Sequence, residues 1–158
     1  MPGVNTSAGT TLAICPGNPA TYDSAGYAAL FGGSSHAVVG EITDLGEFGR
    51  EYALVTHNPV GTRGTQKFKG SFNEGTMSLS LGLDTDDAGQ IMMKIASNSD
   101  DAYSFQVVTQ NGDTYFFQAM VMSWKMGVGS VDQITTASCS LELTTNDAGV
   151  GIIEDLAS

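Results

Sequence analysis

The sequence has very few basic residues. It contains 6 Lys and Arg against 17 Asp and Glu, which gives a formal net charge of -11 over 158 residues. Proteins that bind nucleic acids need clustered Lys and Arg, because these residues displace the counterions that surround the phosphates. The sequence therefore disfavours ordinary nucleic-acid binding. Taken alone, the acidity indicates only that the protein stays dissolved.

Charged residues of either sign are also scarce. They make up 15% of the chain, compared with about 25% in a usual soluble domain. Much of the surface must then be uncharged, and an uncharged surface is easier to bury against neighbouring molecules than to keep in water. The 20 Gly residues fit strands and turns better than helix bundles. The composition favours an assembly protein.

Side chains suited to catalysis or metal binding are few and scattered. Cys15 and Cys139 are the only cysteines, and His36 and His57 are the only histidines. A zinc site needs four ligands, usually with paired spacing, and a hydrolase needs a His beside an activated nucleophile. No G-x-S-x-G sequence is present. We therefore expect free thiols, no enzymatic activity, no metal and no cofactor.

No apolar run is long enough to span a bilayer. The N-terminus also lacks the basic start and apolar stretch of a signal peptide. We therefore expect no membrane partner, and assembly in a reducing cytoplasm.

The length suits one domain, residues 1–158, which can bury about 70% of its unfolded surface. Residues 1–9 are small and polar and predict an N-terminal arm. Residues 10–145 predict a β core with a helix near residues 86–97. Residues 146–158 are acidic and partly apolar, which predicts a C-terminal arm that docks on a neighbouring copy. Residues 22–30 indicate one turn of helix, and residues 37–45 a strand.

The clearest alternation lies at Met77 to Leu83, where every second residue is apolar and one strand face is therefore buried. A helix with an apolar stripe follows, and Asp84 or Thr85 is expected to cap it. The acidic cluster at its start also suggests a calcium loop. That interpretation fails because Ala88 and Ile95 stand where an oxygen ligand and a bidentate Glu are needed.

Two hairpins are predicted. Asn111-Gly112, between strands at residues 104–109 and 114–126, is typical of a type I′ turn. The second of these strands is apolar on both faces, so each face needs a cover. The other hairpin joins strands at residues 51–57 and 65–72 through the exposed turn NPVGTRG. It is expected to project from the core.

The segment from Gly46 to Gln90, GEFGREYALVTHNPVGTRGTQKFKGSFNEGTMSLSLGLDTDDAGQ, resembles the major tail tube proteins of long-tailed phages with flexible, non-contractile tails. The resemblance continues through the Asn111-Gly112 hairpin, the long strand around residues 115–124 and the closing strand at residues 134–144, which overlaps the end of VGSVDQITTAS. The combined pattern carries the resemblance, whereas the first 40 residues contribute least.

The resemblance implies a mainly β fold: a compact β-barrel or sandwich with one flanking α-helix, an extended N-terminal arm, a long projecting loop and a C-terminal arm. It further implies stacked hexameric rings that form the hollow tail tube of the virion, the conduit for DNA ejection. The implied partners are other copies of the chain, the tape measure protein in the lumen, and the tail terminator and tail-tip proteins at the ends. DNA would pass without specific binding, and assembly would take place in the host cytoplasm.

Two sets of site residues follow. The basic residues near the projecting loop favour a contact with an acidic surface of the next ring, although a solvated hairpin is an equally good interpretation from sequence alone. These ring-stacking candidates are Arg50, Asn58, Pro59, Arg63, Lys67 and Lys69. The solvent-exposed faces of the strands are candidates for the wall of the lumen, which must be acidic or neutral if DNA is to slide through the tube. These lumen candidates are Ser78, Ser80, Ser138, Ser140 and Glu142.

Two other functions fit parts of the pattern. One is another ring-forming β protein, such as a secretion-system tube or a tail terminator. The other is a small ligand-binding β-barrel, which should be monomeric and carry a closed pocket.

Overall fold

The computed structural model describes residues 3–157. These residues form ten strands and two helices, in the order β1 Thr11–Cys15, α1 Ser24–Phe31, β2 Ala37–Val39, β3 Ile42–Asp44, β4 Glu51–His57, β5 Gln66–Asn73, β6 Thr76–Gly82, α2 Ala88–Ser97, β7 Tyr103–Val108, β8 Thr114–Gly127, β9 Thr136–Thr144 and β10 Ile153–Asp155. The expected mainly β fold with a flanking helix is confirmed.

One antiparallel sheet carries most of the chain, in the order β2-β1-β7-β8-β9-β6-β3. Its two outermost strands, β2 and β3, are separated in sequence only by Gly40 and Glu41. The two ends of the sheet must therefore meet, which curls the sheet into a barrel. Glu41 has a positive φ of 61° at this corner, and its carbonyl accepts a hydrogen bond of 2.8 Å from the Gly82 amide. The single strand expected at residues 37–45 is broken here.

The barrel interior is filled by the apolar residues of the alternating strands. In β6, Met77, Leu79 and Leu81 are almost fully buried while the residues between them face water. Burying each such side chain contributes about 1.5–3 kcal/mol. Cys139 of β9 packs in the same core, and both cysteines are free and buried.

Helix α1 covers the outer face of β8. Its Asp23 cap accepts a hydrogen bond of 2.7 Å from the Gly26 amide, and Tyr27 stacks on Phe116 with ring centroids 5.3 Å apart. Phe117, the next residue of β8, points into the main core. Both apolar faces are thus covered in the first half of this strand, whereas Met122 and Met126 in its second half are exposed. The helix has 8 residues, more than the single turn indicated by the sequence.

Helix α2 is capped by Asp87, so the prediction that Asp84 or Thr85 caps it is wrong. The Asp87 carboxylate accepts hydrogen bonds of 3.0 Å from the amides of Gln90 and Gly40. Asp84 instead accepts a hydrogen bond from the Asp86 amide in the turn before the helix. The cap lies later than expected, and the residue that caps the helix also bonds to Gly40 at the β2–β3 corner.

Gln90, in the first turn of α2, is buried and joins the two ends of the sheet. Its side-chain amide donates hydrogen bonds of 3.0 Å to the Gly40 carbonyl and 2.9 Å to the Gly82 carbonyl. Its side-chain oxygen accepts a hydrogen bond of 3.0 Å from the Asp84 amide. The helix start therefore closes the barrel at this corner.

The hairpin between β7 and β8 lies where the sequence predicts it, but the turn type is different. A type I′ turn needs a positive φ at two successive residues, and within the described part of the chain only Gly112 has one at this turn, 93°. Hydrogen bonds from Gly112 N to the Thr109 carbonyl and from Thr109 N to the Asp113 carbonyl fit a three-residue loop whose glycine accommodates a bulge.

The terminal segments differ from each other. Residues 3–9 are exposed and carry no helix or strand, while residues 1, 2 and 158 lie outside the described residues. Residues 153–155 form β10, which pairs with Thr114–Phe116 of β8 in the same chain. Ile152 packs against the main core and Ile153 against the cluster under α1, so both are partly buried within their own chain. Docking of the C-terminal segment on a neighbouring copy stays a prediction.

Candidate functional site

Strands β4 and β5 form a two-stranded sheet of their own, apart from the barrel. We call residues 51–73 the projecting hairpin. Every residue of β4 is exposed, and so is most of β5. A seven-residue strand extends about 20 Å from its first to its last residue at the usual rise per residue. An isolated two-stranded hairpin is marginally stable in water, so this hairpin is built to be covered by something else.

The exposed side chains of the projecting hairpin include several large apolar ones. Leu54 is 66% exposed, Phe68 54% and Val55 48%, and Val60 in the turn is completely exposed. A hydrophobic surface of this kind on an isolated domain marks an interaction site. The sequence predicted the hairpin but not that its apolar residues would be uncovered on the isolated chain.

The ring-stacking candidates divide between the base and the projecting part. Arg50 lies at the base, where its Nε is 2.7 Å from Oε1 of the buried Glu74 and its guanidinium lies 3.9 Å from the centre of the Phe72 ring. The hydrogen bond to Glu74, with a second to Tyr52, raises the pKa of Arg50. Arg50 therefore holds the base of the hairpin, although its side chain is still 38% exposed.

The other candidates do lie on the projecting part. Asn58, Pro59 and Arg63 belong to the turn, and Lys67 and Lys69 lie on β5. The Lys69 ammonium is 4.7 Å from the centre of the Tyr52 ring, while the described structure gives no ion pair to Arg63 or Lys67. No Asp or Glu occurs at residues 52–73. The projecting part of the hairpin is therefore purely basic in an otherwise acidic protein.

The lumen candidates come together on one outer face of the barrel. Ser78 pairs with Ser140, and Ser80 with Ser138. Glu142 pairs with Thr76, whose hydroxyl donates to its carboxylate at 2.8 and 2.9 Å.

Sequence reasoning missed three further members of this face, Thr76 of β6 and Ser123 and Lys125 of β8. Ser123 and Lys125 pair with Ser140 and Ser138 after a shift in register between Val121 and Ser123. The shift turns Trp124 toward the core side, and no feature of the sequence marks it. We call the eight residues the hydroxyl face: Thr76, Ser78, Ser80, Ser123, Lys125, Ser138, Ser140 and Glu142.

Within residues 3–157, no three His, Cys, Asp or Glu side chains are arranged to hold a metal ion. None of the helices described is long and apolar enough to cross a membrane.

No protein-family model matches the chain. No curated protein matches it in sequence either.

Solved structures do match. A chain of the six-fold symmetrised anti-feeding prophage (AFP) baseplate has a TM-score of 0.62 and 11% identity, over 91% of this chain and 94% of that one. The SPP1 tail tube has a TM-score of 0.58 and 17% identity, and the match covers 94% of this chain and 77% of that chain. The tail of an empty GTA particle with C6 symmetry has a TM-score of 0.58 and 12% identity, and the match covers 82% of this chain and 91% of that chain. The chain therefore has the fold of these tail and baseplate proteins.

Proposed function

We propose that the protein forms hexameric rings that stack into the hollow tail tube of a phage. The observation that carries the proposal is the fold shared with the SPP1 tail tube over 94% of this chain. The six-fold symmetry of the AFP baseplate and GTA tail structures supports the ring size. The projecting hairpin, with uncovered apolar and basic residues, supplies a surface for self-association.

The proposed role is structural rather than enzymatic. The tube holds the tape measure protein before ejection, conducts DNA during it, and meets the tail terminator and tail-tip proteins at its ends. Its site is the virion tail, after assembly in the host cytoplasm.

Concentration-dependent assembly tests the proposal. Purified protein should sediment as a monomer or weak oligomer when dilute, and should form hollow tubes in negative-stain images when concentrated or seeded with tail-tip complexes. A deletion of residues 59–64 is the matched variant, since it removes only the exposed turn and should leave a folded monomer that makes no tubes. Wild-type protein that forms neither rings nor tubes under any of these conditions would contradict the proposal.

We assign the hydroxyl face to the lumen wall. Its eight side chains comprise one acid, one base and six hydroxyls, so it presents no cluster of cations to hold passing phosphates. Lys substituted at Ser78, Ser80, Ser138 or Ser140 should slow DNA ejection at low salt, and the rate should recover as salt rises. Ser130→Lys, in the exposed loop after β8, is the control. Normal ejection by the face variants would place this face outside the lumen.

The similarity to an AFP baseplate chain favours a second candidate, a ring at the end of a tail rather than the tube itself. Single rings that never extend, even at high concentration and with tail-tip complexes, would favour this candidate over the tube.

A further inference from the structure

An apolar groove of about 350 Å³ opens between α2 and the end of β8. Its apolar lining consists of Leu83, Ile91, Ile95, Trp124 and Met126. Ile91 is 46% exposed, Ile95 57% and Met126 58%. Within the described residues nothing covers this groove, which we call the α2 groove.

The groove follows from how α2 and β8 pack. Met93 and Ala96 lie on the buried side of α2, which faces the core. Ile91 and Ile95, four residues apart, form a second apolar stripe on the outer side of the helix. On β8, the register shift after Val121 brings Trp124 and Met126 to the core side at the end of the strand. The groove therefore lies at the edge of the core, where its apolar side chains remain exposed.

The charged part of the groove's lining is one acid and one base. Asp84 lies at the N-terminal end of α2, and Lys94 lies on the helix itself. Asp86, two residues after Asp84, is also exposed before the helix. An apolar segment that carries a positive charge beside its apolar side chains can place that charge next to Asp84.

The projecting hairpin has these properties. Its exposed apolar residues, Leu54, Val55, Val60 and Phe68, accompany Arg63, Lys67 and Lys69, and residues 52–73 carry a net charge of +3 with no acid. Its apolar side chains match the apolar lining of the α2 groove, and its bases can face Asp84 at one end of that groove.

The hairpin and the groove also lie at opposite ends of the barrel. Residues beside the hairpin base include Leu143 and Thr144, at the end of β9, and β6 begins directly after the hairpin at Thr76. The groove lies near the other ends of these strands, where Gly82 leads into Leu83 and Thr136 pairs with Gly127. Seven residues of β6 separate the two ends by about 20 Å. A donor at one end and an acceptor at the other produce head-to-tail contacts, which extend without closing.

We propose that the α2 groove binds the turn of the projecting hairpin of a second copy, with Val60 against Ile91 and Ile95 and Arg63 near Asp84. This inference rests on the proposed function, since it names the surface that receives the hairpin when one ring stacks on the next.

Cysteine cross-linking tests the contact directly, because both native cysteines are buried and new ones on the surface react alone. Val60→Cys protein mixed with Ile95→Cys protein should give disulfide-linked dimers on mild oxidation, whereas neither variant alone should. A variant with both substitutions should give a ladder of covalent multimers. Val131→Cys replaces Val60→Cys as the control, since Val131 is equally exposed but lies in the loop at the groove end.

A second variant measures the apolar contact. Ile95→Ser should raise the protein concentration needed for tube formation about tenfold, given the transfer free energy of one buried aliphatic side chain. Met122→Ser is its matched control, because Met122 is 60% exposed and outside the groove. Circular dichroism establishes that both variants are folded.

The outcomes separate the inference from the proposed function. Tubes that form without a Val60–Ile95 cross-link, with Ile95→Ser assembling as wild type, would overturn the inference and leave the tube role standing. A cross-link in protein that never forms tubes would support the groove contact and overturn the tube. Neither tubes nor cross-link would overturn both. Cross-linking through Val131→Cys instead of Val60→Cys would identify a different occupant and overturn the inference.

Discussion

Replacing Glu74 with Ala should release the C-terminal segment and loosen the base of the projecting hairpin. Glu74 is 2% exposed and lies between β5 and β6. One carboxylate oxygen accepts from Arg50 Nε at 2.7 Å, and the other accepts from the Ile152 amide at 2.5 Å. Gly151 packs directly against this carboxylate, with no room for a Cβ. A single buried side chain therefore holds two separate segments.

The two contacts contribute differently to the expected loss. Without the carboxylate, the Ile152 amide loses its acceptor, and a buried donor left without a partner costs about 1–3 kcal/mol. Arg50 is partly exposed and can return to water, so its side of the pair adds little. The segment can also avoid the cost by detaching from the barrel. We therefore expect Glu74→Ala to lower the free energy of unfolding by about 2 kcal/mol, with opening concentrated at residues 150–157.

Two measurements check this expectation. Urea denaturation gives the change in the free energy of unfolding, and amide hydrogen exchange locates the opening. Glu51→Ala is the control, because Glu51 is exposed at the start of β4 and its loss should change stability by no more than about 0.5 kcal/mol. If Glu74→Ala unfolds like this control and residues 150–157 remain protected, the carboxylate does not hold the segment.

The remaining predictions concern packing, protonation and stacking. Gly89→Ala should lower the free energy of unfolding by about 2 kcal/mol in urea denaturation, despite the helix propensity of Ala, because the added Cβ would collide with the backbone of Val38; unchanged stability would contradict this packing. Burial raises the pKa of Cys139 to about 12, so the unfolded chain releases the thiol proton before the folded one does. This contribution to stability is complete below pH about 9 and is lost as pH rises from about 9 to about 12; comparison of wild-type and Cys139→Ala denaturation midpoints across this range checks it, and parallel pH curves would contradict it. Arg63→Glu should leave the monomer folded and block ring stacking, as seen by sedimentation; tubes of normal length would remove this residue from the interface.

The features that the sequence predicts well are those set by local pattern. The alternation at Met77 to Leu83 places a strand with one buried face, and the structure has that face in the core. The projecting hairpin follows from two strand-like runs around NPVGTRG, and β4 and β5 pair as expected. The lumen candidates share a face because a strand has a period of two, and that holds for any strand whose register is unbroken.

The features that the sequence does not predict depend on contacts between distant residues. Several acidic residues precede α2, and the choice of Asp87 as its cap coincides with a hydrogen bond from Gly40, 47 residues earlier. The register shift in β8 arises from its pairing with β9, and it decides that Trp124 faces inward and Lys125 outward. The α2 groove depends on this register shift, because Trp124 and Met126 form one of its walls. No local sequence pattern predicts such a groove, because its two walls come from separate parts of the chain.

The distribution of charge explains how a chain with a net charge of -11 can associate with copies of itself. Uniform acidity would make every approach of two copies repulsive. Here the bases at residues 63, 67 and 69 lie on one projection, whose residues 52–73 contain no acid, while Asp84 and Asp86 lie before α2 at the opposite end of the barrel. Head-to-tail approach therefore brings opposite charges together, whereas contact between two like ends brings like charges together. This asymmetry favours a single polarity, and apolar side chains on both surfaces supply the affinity that screened charges alone do not give.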